Sequence, residues 1–112
     1  MKKEPMLTGQ IDLLLLSQVA RGPMHGYAVI EQLRARSDGV FDFPEGTIYP
    51  ALYRLESLGL LESNADKVSG RVRRMYRITP AGRKALEERE ASWRAFVRGV
   101  EAVLRVGATG HA

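Results

Sequence analysis

Residues 7–20 contain the run Leu13-Leu14-Leu15-Leu16 and carry apolar side chains on almost every side of a helix. Ile11, Leu14, Leu15 and Val19 make an i, i+3, i+4, i+8 stripe, and Leu13, Leu16 and Ala20 cover another side. Thr8 is the expected cap. Such a helix must be covered from more than one direction. A chain of 112 residues is one domain with one core. The second apolar side, with Leu13 and Leu16, is therefore expected to meet another subunit. Four consecutive leucines are far short of the roughly 20 apolar residues that span a bilayer, so no membrane partner is expected.

The next segments are separated by turn chemistry. Residues 25–36 read as a second helix, with Tyr27, Ile30 and Leu33 or Val29 inward, ended by Ser37-Asp38-Gly39. Residues 47–58 read as a third, with Ile48, Leu52 and Leu55 on one face and Gly59 just past its end. Pro50 would damage a helix interior. With Thr47 as the cap, Pro50 falls at the third helical position, where its missing N–H is not needed. Two strand-like runs follow, Leu60–Ser63 and Arg73–Thr79, joined by a polar loop with Ser69-Gly70. Thr79-Pro80 then opens a last helix that is expected to run to about Val106. Helix, helix, helix, basic hairpin, long helix is the winged-helix layout.

The formal net charge is +4, but it is not evenly spread. Residues 1–64 carry net −2, residues 65–84 net +6 and residues 85–112 net zero. The excess lies in Lys67, Arg71, Arg73, Arg74, Arg77, Arg83 and Lys84, against Asp66 alone. That block is either the footprint of a polyanion or a solvated loop that keeps the chain soluble. The outer face of the third helix favours the former. Tyr49, Pro50, Tyr53, Arg54 and Ser57 fall opposite the apolar stripe, with Gly46 and Thr47 at the entrance, and no acid lies among them. Hydroxyls and a guanidinium suit phosphates and base edges, and rings and a proline suit thymine methyls. The competing reading is that Tyr49 or Tyr53 packs against the hairpin.

In the last helix, Leu86, Trp93, Val97, Val100 and Leu104 recur at spacings of seven, four, three and four. Phe96 and Val103 widen this seam, and charged residues flank it, as in paired helices. It predicts a homodimer; the alternative is packing on its own domain. Trp93, the single tryptophan, either packs that interface or stacks on a ligand between subunits, with Phe96 beside it.

Catalysis finds no support. The chain has no cysteine, and His25 and His111 are its only histidines, so neither a triad nor a metal site can be assembled. His25 reads as a capping or packing residue. The glycines sit at element ends rather than in a phosphate loop. No enzyme, metal or cofactor is expected. Glu4, Pro5, Gln10 and Asp12 break up any leader-like apolar stretch, and a cytoplasmic location is expected.

Several segments resemble the PadR family of bacterial transcriptional regulators. They are Gly22-Pro23-Met24-His25-Gly26-Tyr27, Glu45-Gly46-Thr47-Ile48-Tyr49-Pro50-Ala51-Leu52-Tyr53-Arg54-Leu55-Glu56, Gly59-Leu60-Leu61 and Tyr76-Arg77-Ile78-Thr79-Pro80-Ala81-Gly82. The resemblance runs from about residue 6 to residue 104. Val72 and Met75 stand where the family hairpin often has a proline and a tyrosine, and Pro44 where a polar residue is common. The resemblance implies a homodimer on a pseudo-palindromic operator, usually as a repressor, with Thr47 to Pro50 at the DNA. It implies wing contacts from Gly70, Arg71, Arg73 and Arg74. Some regulators in the family release DNA on binding phenolic or planar aromatic compounds, some of them at the dimer interface where Trp93 falls. The short C-terminal part fits the branch with one C-terminal helix.

The expected fold is thus mainly α with a small β-hairpin. A winged helix-turn-helix DNA-binding domain spans residues 1–79, a dimerisation helix residues 80–106 and a disordered tail residues 107–112. The expected function is sequence-specific binding of double-stranded DNA by a homodimeric repressor, released by a small aromatic effector. The alternative is a small-molecule sensor or protein-interaction module that keeps the fold without specific operator binding.

Overall fold

The computed structural model describes residues 5–105. The expected end of the last helix at Val106 and the tail at 107–112 lie outside them. The order is α1 (Pro5–Val19), β1 (Met24–His25), α2 (Gly26–Arg36), α3 (Glu45–Ser57), β2 (Leu61–Val68), β3 (Arg71–Ile78) and α4 (Pro80–Leu104). Helix α1 starts at Pro5 and not near Thr8. A proline at the first helical position gives up an N–H that has no partner there anyway.

Leu15, Leu16, Val19, Val29, Leu33, Ile48, Leu52, Leu55 and Leu61 form the core. Each fully buried side chain of this kind contributes about 1.5–3 kcal/mol. Leu16 is thereby corrected. It is fully buried within its own chain and offers nothing to a second subunit. The reason is that α2, α3 and α4 all pack on α1, so its second apolar side is covered internally. Tyr27 is corrected too: it is about half exposed, and Val29, Ile30 and Leu33 carry the inner face of α2.

Strands β2 and β3 pair antiparallel from Leu61 with Ile78 to Val68 with Arg71. Both are longer than their apolar residues suggest. Ser69 and Gly70 close them with φ of 53° and 78°, the two-residue turn whose twist matches that of the strands. The two residues of β1 add a third strand on the other edge of β3, with Met24 opposite Tyr76 and His25 opposite Met75.

The junction of α3, the hairpin and α4 is tightly tied. Gly59 takes φ 79° after α3, as expected of its place. The Leu60 N–H donates to the Leu55 carbonyl, and the Leu60 carbonyl accepts from Thr79 N–H at 3.1 Å. Thr79 caps α4, its hydroxyl accepting from Gly82 N–H at 2.9 Å and donating to the Gly59 carbonyl at 2.7 Å. Gly82 is buried against Leu60. A β-carbon there would overlap the Leu60 carbonyl oxygen and stand 2.7 Å from Ile78 Cγ1. Gly82→Ala is therefore expected to cost about 1–3 kcal/mol. In a domain of this size that lowers Tm by roughly 5–15 °C. Gly46→Ala, whose added carbon meets no atom within 4 Å, is expected to hold or raise Tm in the same thermal melt.

Candidate nucleic-acid interface

Helix α3 buries Ile48, Ala51, Leu52 and Leu55 and turns Gly46, Tyr49, Pro50, Tyr53 and Ser57 outward. Tyr53 is 71% exposed, while Thr47 is half-buried at the entrance. The helix starts at Glu45, capped by Pro44, rather than at Thr47. The ladder opens on the Pro44 carbonyl, to which Thr47 and Ile48 N–H both donate, at 3.0 and 3.2 Å. Pro50 consequently lies inside the helix and not in its first turn, and it offers no N–H to the Gly46 carbonyl. Gly46 is exposed, so water can satisfy that carbonyl.

A cleft of about 590 Å³ separates the start of α3 from the hairpin, and its walls include His25, Gly26, Tyr27, Tyr49, Arg73 and Tyr76. Tyr49 is partly covered, by α2 rather than by the hairpin strands. Its ring rests on Gly26, where a β-carbon would come within 2.5 Å of Cε1, yet a good third of the residue stays exposed. Burial, then Glu45, pushes the Tyr49 phenol up, against the opposing pull of Arg73. The hydroxyl therefore remains a donor at neutral pH. Tyr76 is pushed up in the same way, by burial and then by Glu56.

The hairpin arginines are not equivalent. Side chains alternate along β3, which sets Arg71 and Arg73 on one face and Arg74 on the other with buried Tyr76. Arg74 Nε donates to Ser63 Oγ at 2.9 Å, and that hydroxyl donates to Glu56 Oε2 of α3 at 2.8 Å. Arg77 reaches Asn64 at 3.4 Å. Arg71 is exposed, and Arg73 pairs in register with Asp66. Gly70 sits in the tight turn itself. His25 Nε2 approaches Asp66 Oδ2 to 3.4 Å, linking β1 to the hairpin.

Arg54 is a correction. Its guanidinium donates to Asp12 of α1 instead of standing free on the outer face. A helical wheel gives its direction but not the acid waiting at its edge. Asp12 is 4% exposed and also faces Arg89 of α4 at 3.5 Å. The sequence signal for this site is an acid set directly before the four-leucine run of α1.

The last helix carries the remaining candidates. Leu86 packs against its own core, so the expected seam loses its first position. Leu13 and Val97 are half-buried, while Val100, Val103 and Leu104 are exposed. Trp93 and Phe96 stack with centroids 5.8 Å apart and rings inclined by 28°. Both line a cavity of about 460 Å³ between α1 and α4, together with Leu13, Ala85, Glu88 and Arg89. Among the described residues no helix is long and apolar enough to cross a membrane, and no three metal-ligating side chains gather.

The profile of the "Transcriptional regulator PadR-like family" matches residues 15–88. The chain is 42% identical over 78 residues to the transcriptional regulator Rv3488 of Mycobacterium tuberculosis, covering 70% of each protein. A PadR family transcriptional regulator from Eggerthella lenta superposes with a TM-score of 0.79 at 36% identity, over 90% of this chain and 88% of that one. A PadR family transcription regulator from Clostridium difficile gives 0.74 at 33% identity, over 84% and 97%. This chain shares the winged-helix fold of the two structures and carries a long C-terminal helix.

Asp12 generates a pH prediction. Burial, opposed by Arg54 and Arg89, holds its carboxyl above the ordinary 3.8. The folded chain keeps this proton to higher pH than the unfolded chain, so ionisation subtracts stability as pH rises through that window. The subtraction is absent well below 3.8 and grows as pH rises from there toward the raised value. Asp12→Asn removes it. The Tm of the variant minus that of the parent is expected to be more positive at about pH 7 than at about pH 3.5. A difference of the opposite slope would mean that the two arginines outweigh burial.

Proposed function

The chain belongs to the PadR-like family of transcriptional regulators, a family of regulators and not of enzymes, and from that premise we propose that it is a homodimeric, cytoplasmic repressor that binds a pseudo-palindromic operator. The observation that carries the reading is the outer face of α3, where Gly46, Tyr49, Pro50 and Tyr53 are exposed beside a basic hairpin. These residues, with Thr47, read base edges and methyl groups in the major groove. Gly70, Arg71, Arg73 and Arg74 grip phosphates or the flanking minor groove. Arg54 is left out of the contact set because its guanidinium is engaged by Asp12.

Dimerisation through α4 is supported by its outer half. Trp93, Val97, Val100 and Leu104 form a stripe that its own chain leaves partly uncovered, most of all at Leu104, and Leu13 borders it. Exposed apolar area of this kind on a protruding helix calls for a partner. A two-fold axis through paired helices would present two α3 faces to half-sites about one helical turn apart, or a multiple of that. The Trp93–Phe96 cavity between α1 and α4 has the size and apolar walls for a planar aromatic effector, whose binding would release the operator.

Selection of duplexes from a randomised pool tests the reading, and enrichment of one sequence that resists unrelated competitor DNA is expected. Failure to enrich any sequence would leave a sensor or interaction module on the same fold. Arg73→Ala combined with Arg74→Ala is expected to weaken all DNA binding and flatten the slope of log K against log salt by about 2. An unchanged slope removes the hairpin from the interface. Val100→Asp with Leu104→Asp is expected to give a monomer in sedimentation equilibrium and to cost operator affinity.

A further inference from the structure

Asp12 is the buried carboxylate of the described core, and each of its oxygens faces a different helix. Oδ1 accepts from Arg54 of α3, and Oδ2 faces Arg89 Nη1 of α4 at 3.5 Å. Arg54 lies directly after Tyr53 and one turn after Pro50, at the edge of the face read as the DNA surface. Arg89 is one turn before Trp93 and lines the cavity between α1 and α4. One side chain on α1 thus joins the two places that carry function in the reading above.

Stability is a poor account of this arrangement. Taking a carboxylate out of water costs several kcal/mol, and ion pairs commonly fail to repay it. The arginine side chains are 41% and 35% exposed, so both would remain hydrated without the acid. What a carboxylate shared by two guanidinium groups supplies is direction, because charge-assisted bonds constrain angle as well as distance. The pair holds α3 and α4 at a set rotation about α1.

We infer that Asp12 is a positioning residue that couples the α1–α4 cavity to the DNA-facing helix, with Arg89 as the lever on the cavity side and Arg54 on the DNA side. A shift of Arg89 along the cavity wall takes one partner from the carboxylate and leaves Arg54 as its remaining counter-charge. The carboxylate then turns toward Arg54 and α3 changes its seat on α1. Coupling of this kind is reciprocal, so DNA seated on α3 must also change the cavity. Trp93, the single tryptophan, reports that change without any effector. The inference rests on the reading of α3 as the DNA-contacting helix.

The test titrates the full chain with a duplex selected by the parent protein from a randomised pool, following Trp93 emission. The parent is expected to show an emission change that saturates with binding. Asp12→Asn and Arg89→Met, which leaves Arg54 paired, are both expected to lose it. Asp12→Asn is expected to bind the selected duplex about tenfold more weakly, a coupling of ordinary size. Its salt slope stays that of the parent because no phosphate contact is removed. A silent Trp93 in the parent, or a full response in both variants, overturns the coupling. So does a loss of affinity in Asp12→Asn that is equal for selected and unrelated DNA and tracks a fall in Tm, since that is merely a folding defect. If the parent selects no sequence, the DNA reading of α3 fails first and the coupling falls with it.

Discussion

The Leu60 carbonyl is where three elements meet. It accepts the Thr79 N–H and lies against the α-carbon of Gly82, while the Leu60 N–H closes the end of α3 on Leu55. Within a few residues the exit of α3, the root of the hairpin and the entry of α4 are fixed to one another. The hairpin can then stand beside the outer face of α3, and α4 can lie across α1. A side chain at residue 82 would push these apart by the thickness of a methyl group, which close-packed interiors do not absorb. The cleft between α3 and the hairpin and the α1–α4 cavity are both products of this one approach.

Charge is distributed by the same geometry. Most of the basic excess is carried outward on the two long strands, and Arg83 and Lys84 add to it at the start of α4. The acid that enters the core, Asp12, does so with one arginine from α3 and one from α4. Outside, charge attracts a polyanion at long range. Inside, it sets angles. Arg74, held through Ser63 to Glu56, belongs to both worlds: it anchors the hairpin to α3 while keeping a positive charge at the surface.

Much of the fold was legible because its punctuation is chemical. Thr79-Pro80, Gly59 and Ser69-Gly70 each demand a particular backbone, and each has it. The start of α3 was not legible, since Pro44 caps through its main-chain carbonyl, which no side-chain pattern advertises. Strand β1 was invisible because two residues carry no period. The full length of β2 was hidden by polar residues, Glu62 to Lys67, on a hairpin that leaves most of that strand in water. At the site, Gly46, Tyr49, Pro50 and Tyr53 could be read as outward from their spacing against Ile48, Leu52 and Leu55. Arg54 and Leu16 could not be assigned, because a helical wheel shows which way a residue points and not what it finds there. Both were decided by elements distant in the chain.

The tight turn at Ser69-Gly70 has a consequence for how this protein can vary. Two long strands closed by a two-residue turn have a fixed register, and side chains change face with every residue. A one-residue insertion in either strand would send Tyr76 or its partners outward and bring arginines onto the core. Insertions in pairs, one residue in each strand, would only lengthen the hairpin. Relatives that differ in the reach of this arm should therefore differ by even numbers of residues, and the arm should grow by one residue rise for each inserted pair.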